Sequence, residues 1–336
     1  MMANAGGGSW TWVWPAARRR VGVVGLVACL AIGDVGRCCD NPVFRYALEN
    51  WPSAEYLLVT AGAEAAADAA RIDQLLAVAE PRPNLRLASA GELPQLDASG
   101  PLVLLAPPPP RGQPGRPQVT WSGPASEESL ARVVDSPARR ELVKRLLDGE
   151  AIVWVVLEVS DREAIDKGEA ALQQLIDGYL EALAQAEAAA AATAPPADPQ
   201  APPPIDKSAF WPPRFSVLRV AADAAEEAVF VATLLGTTQE ASTREPLVFP
   251  VFGRGRVLGS LPLSKLDAGR LRSACDFLTG ACSCEVKEMN PGQDLLFAAD
   301  WDSVAKLTRP TGTVSLFDLE PAGRPAAAGS PPAPGK

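Results

Sequence analysis

The stretch Ala151-Ile152-Val153-Trp154-Val155-Val156-Leu157-Glu158 decides how this chain is read. It is a continuous, largely β-branched apolar run, the pattern of a strand covered on both faces. The chain from Arg162 to about Ala190 then places Ile165, Leu172, Leu175, Ile176, Tyr179, Leu180 and Leu183 on one helical face and Glu, Gln and Asp on the other. A doubly buried strand followed by an amphipathic helix is the signature of an α/β layer structure. Further strands are expected at Phe215 to Val220 and Leu247 to Phe252, with a helix from Ala224 to Leu235 between them. Gly253-Arg254-Gly255 reads as a turn, Arg256 to Leu261 as the returning strand, and Leu266, Leu271, Cys275 and Leu278 as the buried side of a last helix ending at Gly280. The alanine-rich end of the long helix runs into a proline linker and is expected to project or fray.

The first half of the chain has the same grammar. Strands are expected at Tyr56 to Thr60, Leu85 to Leu87, Pro101 to Leu105 and Val119 to Trp121, with a helix from Glu64 to Ala79. A helical stretch begins at Leu130, Val133 and Val134 and restarts at Ser136-Pro137, an N-cap followed by proline at the first helical position. Leu142, Val143, Leu146 and Leu147 give its buried side, and Gly149 its stop. Laid together, PLVLLAP at Pro101 corresponds to PLVFPVF at Pro246, and Leu147-Asp148-Gly149 to Leu278-Thr279-Gly280. Two related α/β units are therefore expected.

Composition narrows the chemistry. The chain has 336 residues and no histidine, where average usage of about 2% would supply roughly seven. Histidine-dependent triads, HExxH zinc sites and histidine-ligated haem are excluded. A net charge of −9 argues against nucleic acid as a partner. Arg18, Arg19 and Arg20 precede the apolar run Val21 to Ile32, which is short for a bilayer span and suits an export signal. Either a cleaved signal or an uncleaved anchor fits. Cys29, in Leu26-Val27-Ala28-Cys29, and Cys38-Cys39 are candidate lipidation positions. Export would permit disulfides, and Cys275, Cys282 and Cys284 form a late group.

The second unit runs strand, helix, strand, helix, strand, hairpin strand, helix, an order that resembles the thioredoxin fold. The expected fold class is α/β, with tandem thioredoxin-like three-layer units and mixed sheets; the alternative is a pair of ferredoxin-like units. Pro246, and Pro101 in the thinner first copy, stand where that resemblance implies a cis-proline. The resemblance also implies a Cys-x-x-Cys at the start of the first helix, where the helix dipole would lower a thiol pKa. This chain has Val159-Ser160-Asp161-Arg162-Glu163 there, with Ser160 as a good N-cap, and Thr60-Ala61-Gly62-Ala63-Glu64 in the first copy. Both copies are expected to be redox-silent at that position. PVFRYALENW (Pro42 to Trp51), DSPARR (Asp135 to Arg140), FPVFGRGR (Phe249 to Arg256) and CSCEVKEMNPG (Cys282 to Gly292) make the whole chain similar to a family of exported bacterial proteins to which no activity is attached.

The expected organisation is a signal or anchor segment at 1–39 and a first unit with an N-terminal arm at 40–149. A second unit follows at 150–290 with a proline linker at 193–205, then an extension at 291–320 and a Pro/Ala/Gly tail at 321–336. The arm, with Phe44, Tyr46, Leu48 and Trp51, is expected to pack on the first unit or to bind a partner. Cys282-Ser283-Cys284 fits a structural disulfide, buried thiols, or a redox or thiolate metal role, the last lacking a histidine to complete four ligands. Cys275 sits on an apolar helix face. Arg254 and Arg256 are candidate anion contacts, although a hairpin turn explains the glycines around them. Arg139 and Arg140 read as a solvated face. No catalytic residue, metal or cofactor is assigned. The expectation is a non-catalytic exported envelope protein, periplasmic or attached to the membrane through its N-terminus, that binds an unidentified envelope protein. A thiol–disulfide or thiolate metal function at Cys282 and Cys284 is the alternative.

Overall fold

A computed structural model describes residues 41–89, 91, 93, 96, 100–107, 118–159, 161–193, 213–238, 245–281 and 286–303. The N-terminal segment with Cys29, Cys38 and Cys39, the expected cap Ser160, the proline linker, Cys282, Cys284 and the C-terminal tail lie outside the described residues. No helix among the described residues is long and apolar enough to cross a membrane.

The chain begins with α1 (Val43–Asn50), β1 (Tyr56–Thr60), α2 (Ala65–Val78), β2 (Leu85–Ala88), β3 (Leu102–Leu105) and β4 (Val119–Gly123). Helices α3 (Glu127–Val134) and α4 (Pro137–Leu147) lead to β5 (Ile152–Glu158), α5 (Arg162–Thr193) and β6 (Phe215–Ala221). A 3-10 turn precedes α6 (Ala228–Gly236). Then come β7 (Leu247–Phe252), β8 (Arg256–Val257), β9 (Leu261–Pro262), α7 (Ala268–Thr279) and β10 (Gln293–Asp294).

The strands form two mixed sheets, ordered β2-β1-β3-β4 and β10-β8-β7-β5-β6, with β9 beside β7. In the first, β1 is parallel to β2 and antiparallel to β3, and β3 is antiparallel to β4. In the second, β5 is parallel to β6 and antiparallel to β7, and β7 is antiparallel to β8. The same order occurs twice, a parallel strand–helix–strand followed by an antiparallel hairpin, so the fold is α/β in tandem thioredoxin-like units. A ferredoxin-like reading fails because the first two strands of each unit lie side by side. The described residues contain one cis peptide, Glu80–Pro81, so the cis-proline implied at Pro101 and Pro246 is not found there.

The second sheet is buried on both sides. Trp154, Val156, Val248 and Phe252 meet α5, α7 and α1 on one side. Val153, Val155, Phe249 and Val251 meet α4 and α6 on the other. The arm therefore packs on the second unit: Val43, Phe44, Ala47 and Trp51 join its core, and Val43 N donates to Gly280 O at 3.0 Å. Helix α4 belongs with that unit as well, through Leu142 and Leu146. The packing boundary thus falls near Asp135, earlier in the chain than the repeat suggests. In the first unit α2 and α3 cover one face through Ile72, Leu130 and Val133. The opposite face holds only a small cluster around Val59, Ala88, Val103 and Leu105, and no described helix covers it.

Helix α6 has no polar stripe. Val229 enters the first unit's core while Phe230, Val231 and Leu234 enter the second's. Burying each such side chain contributes about 1.5–3 kcal/mol, so this helix is a shared wall between the units. The segment after β10 is shared in the same way, with Leu296 in the first core and Leu295 and Phe297 in the second. Gly255, at φ +77°, lets Phe297 in, since a Cβ there would stand 2.3 Å from its ring. Pro250 lies inside β7, but its carbonyl accepts from Leu258 N on the hairpin side, between the β8 and β9 pairings. Its missing N–H therefore interrupts no bond to β5.

Two buried polar junctions fix the seam. Ser136 Oγ accepts from Arg139 N at 3.4 Å, as expected of an N-cap, and Glu227 accepts from Ser136 Oγ (2.5 Å) and Ala138 N (2.7 Å). Arg139 is buried, unlike the solvated face expected, and donates to Val133 O (2.8 Å) and Arg132 O at the end of α3. Burial pulls its pKa down to about 10. Arg140 is exposed and pairs with Asp135. At the second junction the Asp294 carboxylate receives Arg256 Nη1 (3.0 Å), Lys287 Nζ and Ala54 N (2.8 Å). Removing one partner of a buried pair costs about 3–5 kcal/mol. Asp294→Ala is expected to lower the unfolding free energy by about that much, measured as a shift of the urea midpoint with an unchanged slope.

Candidate functional site

Strands β5 and β6 run parallel, and the chain leaves β5 directly into α5. Ligand crevices in α/β sheets form outside the carboxyl ends of such strands. A cleft of about 860 Å³ lies at that end here. Leu157, Ile165, Ala222, Val231 and Leu235 give it an apolar floor, and Glu158, Arg162, Arg219 and Asp223 a charged rim. Asp161 Oδ1 accepts from Ala164 N at 3.0 Å and supplies cap bonding to the first turn of α5. Arg219, on β6, pairs with Glu158 at the end of β5, with Asp166 (2.8 Å) and with Glu169 (3.1 Å) on α5. These carboxylates, the Glu158 hydrogen bond foremost, raise the Arg219 pKa further above its ordinary value. The guanidinium thus clamps two strands and a helix at the mouth of the cleft. A second, smaller cavity of about 380 Å³ lies along α4, between Arg140, Lys144 and Leu147 and the segment Phe297-Ala298.

The residues singled out from sequence lie elsewhere. Arg254 donates to Leu48 O (2.7 Å) and Glu49 O (3.0 Å) at the end of α1 and pairs with Asp302 (2.8 Å). Arg256 donates to Pro291 O (3.2 Å) and Asn290 O (3.0 Å) besides Asp294, and stacks over Trp51. Both guanidinium groups are engaged with the protein itself. Cys275 is fully buried on α7 with a free thiol, among the residues that cover β5. Among the described residues no group of three Cys, Asp or Glu side chains could hold a metal ion. Sequence reading missed Arg219. Its signal was a lone arginine inside an apolar strand, with Asp166 and Glu169 one turn apart on the helix before it. Comparison with family models, curated proteins and solved structures gives no match.

Burial pushes the Cys275 thiol up to about 12, so it stays protonated and is a poor nucleophile at neutral pH. Burial likewise raises Tyr179 to about 12 and raises Tyr56 as well. In the unfolded chain the thiol ionises near 9. The stability due to the neutral thiol is therefore complete below that pH and is lost as pH rises toward its folded value. The tyrosines act in the same direction. The urea midpoint is expected to fall as pH rises from about 9 toward about 12, and less steeply in Cys275→Ala. An equal fall in both proteins would assign the effect to the tyrosines alone.

Proposed function

We propose that this is a non-catalytic exported protein of the cell envelope that acts by binding another envelope component, and that the cleft at the ends of β5 and β6 is its contact surface. One observation carries the reading. Where a thioredoxin-like unit would keep its cysteine pair, Asp161 bonds to the first turn of α5 and Arg219 is clamped by three carboxylates beside an open apolar floor. An apolar cleft with a few placed polar groups is the usual form of a binding site. The short basic and apolar segment at 18–32 supports export.

Two measurements test this together. In a disulfide-reductase assay the protein is expected to show no turnover above buffer. A photo-crosslinking residue at Leu235, in the cleft, is expected to trap a discrete envelope partner that the same residue at Gln173, on the exposed side of α5, does not. Turnover abolished by Cys282→Ser or Cys284→Ser would instead make the protein a thiol–disulfide enzyme. Metal that copurifies and is lost in those variants would make it a thiolate metal-binding protein.

A further inference from the structure

We infer that the occupant of the cleft is an extended, positively charged polypeptide segment that pairs with the open edge of β6 and sets an apolar side chain on the floor. This rests on the cleft being the contact surface. Strand β6 ends its sheet, and among the described residues no strand pairs with its outer side. Ala222 N donates to Glu158 O at 3.0 Å. Alternation along a parallel ladder then turns the main chain of Val217, Arg219 and Ala221 away from β5. Arg145 Nη1 covers Val217 O at 2.8 Å, and Ala224 N takes Ala221 O at 3.3 Å. Between them Arg219 presents both its N–H and its C=O at the edge, next to the cleft. An open N–H and C=O pair on an edge strand is a docking point for a short stretch of another strand.

The side chains say what kind of strand fits. Glu158 and Asp223 line the cleft, and Asp166 and Glu169 bind its Arg219; four carboxylates stand against the guanidinium groups of Arg162 and Arg219. Arg219 is already shared among three of the four. The residual field is negative and favours Lys or Arg on the incoming segment. Leu157, Ile165 and Val231 are buried below this rim, with Leu235 beside them partly open. Leu235 and Ala222, the partly open part of the floor, offer an apolar surface to one side chain while its neighbours reach the carboxylates, which suits alternating basic and apolar residues.

The test uses the full chain and dye-labelled capped peptides, one alternating Lys with Val and Leu, the other with Glu in place of Lys. Fluorescence anisotropy is expected to show binding of the basic peptide and at least roughly tenfold weaker binding of the acidic one, by the charge argument. Asp223→Lys, an exposed change at the rim, is expected to weaken the basic peptide by a similar factor. Amide exchange at Arg219 and Ala221 is expected to slow on binding. Equal binding of the two peptides, or no effect of Asp223→Lys, overturns the inference. If the basic peptide does not bind but Leu235 still crosslinks a partner, the occupant is wrong and the binding-module reading stands. If neither occurs, both fall.

Discussion

The carboxylate of Asp294 is the point on which the assembly of the two units turns. It receives a guanidinium from β8, an ammonium from the turn before β10 and the Ala54 amide just ahead of β1, while its own carbonyl accepts the Tyr56 hydroxyl at 3.0 Å. The group that ends the second sheet is thus bonded to the chain that starts the first. A buried carboxylate is costly unless its lone pairs are filled. Here three donors fill them, and two are cations. These bonds tie down the start of the segment that follows. Leu295, Leu296 and Phe297 can then alternate between the two cores. Asn84 holds that segment from the other side, donating to Leu295 O at 3.1 Å and accepting from Phe297 N at 2.8 Å.

The two units share topology but not thickness. The second has helices on both faces, and one of them, α4, comes from the part of the chain that looks like the end of the first repeat. The first lacks a described helix on one face and borrows Val229 from α6 for the other. This asymmetry explains why the cleft belongs to the second unit. There α5 and α6 flank the ends of β5 and β6 on opposite faces, and their side chains enclose the opening.

Much of this was legible in the sequence. Strands β1, β3, β5 and β7 declared themselves because each is a short apolar run bounded by turn residues. Ser136 and Gly149 marked the limits of α4 through local chemistry alone, and both do so in the structure. What could not be read was allegiance. The apolar face of α4 says that it packs, not on which sheet, and the aromatic arm likewise fits either unit. Arg139 looked solvated because nothing local announces that the end of α3, six and seven residues back, supplies its acceptors. The Arg219 clamp failed to stand out for the same reason: its partners lie 50 to 61 residues away.

The missing histidines and the placement of Cys275 have a common physical consequence. Among the described residues the cleft is lined by neither histidine nor cysteine, and the one described thiol is held neutral in the core. Near the cleft the ionisable side chains are carboxylates and guanidinium groups, and several are paired with one another. The Arg219 clamp adds stiffness at the mouth, joining β5, β6 and α5. It is partly exposed and contributes little to stability, about 1 kcal/mol or less. Its larger effect is to neutralise some rim carboxylates and leave Asp223 outside the network. A site built this way offers a negative field beside an apolar surface, the two features on which the proposed binding role draws.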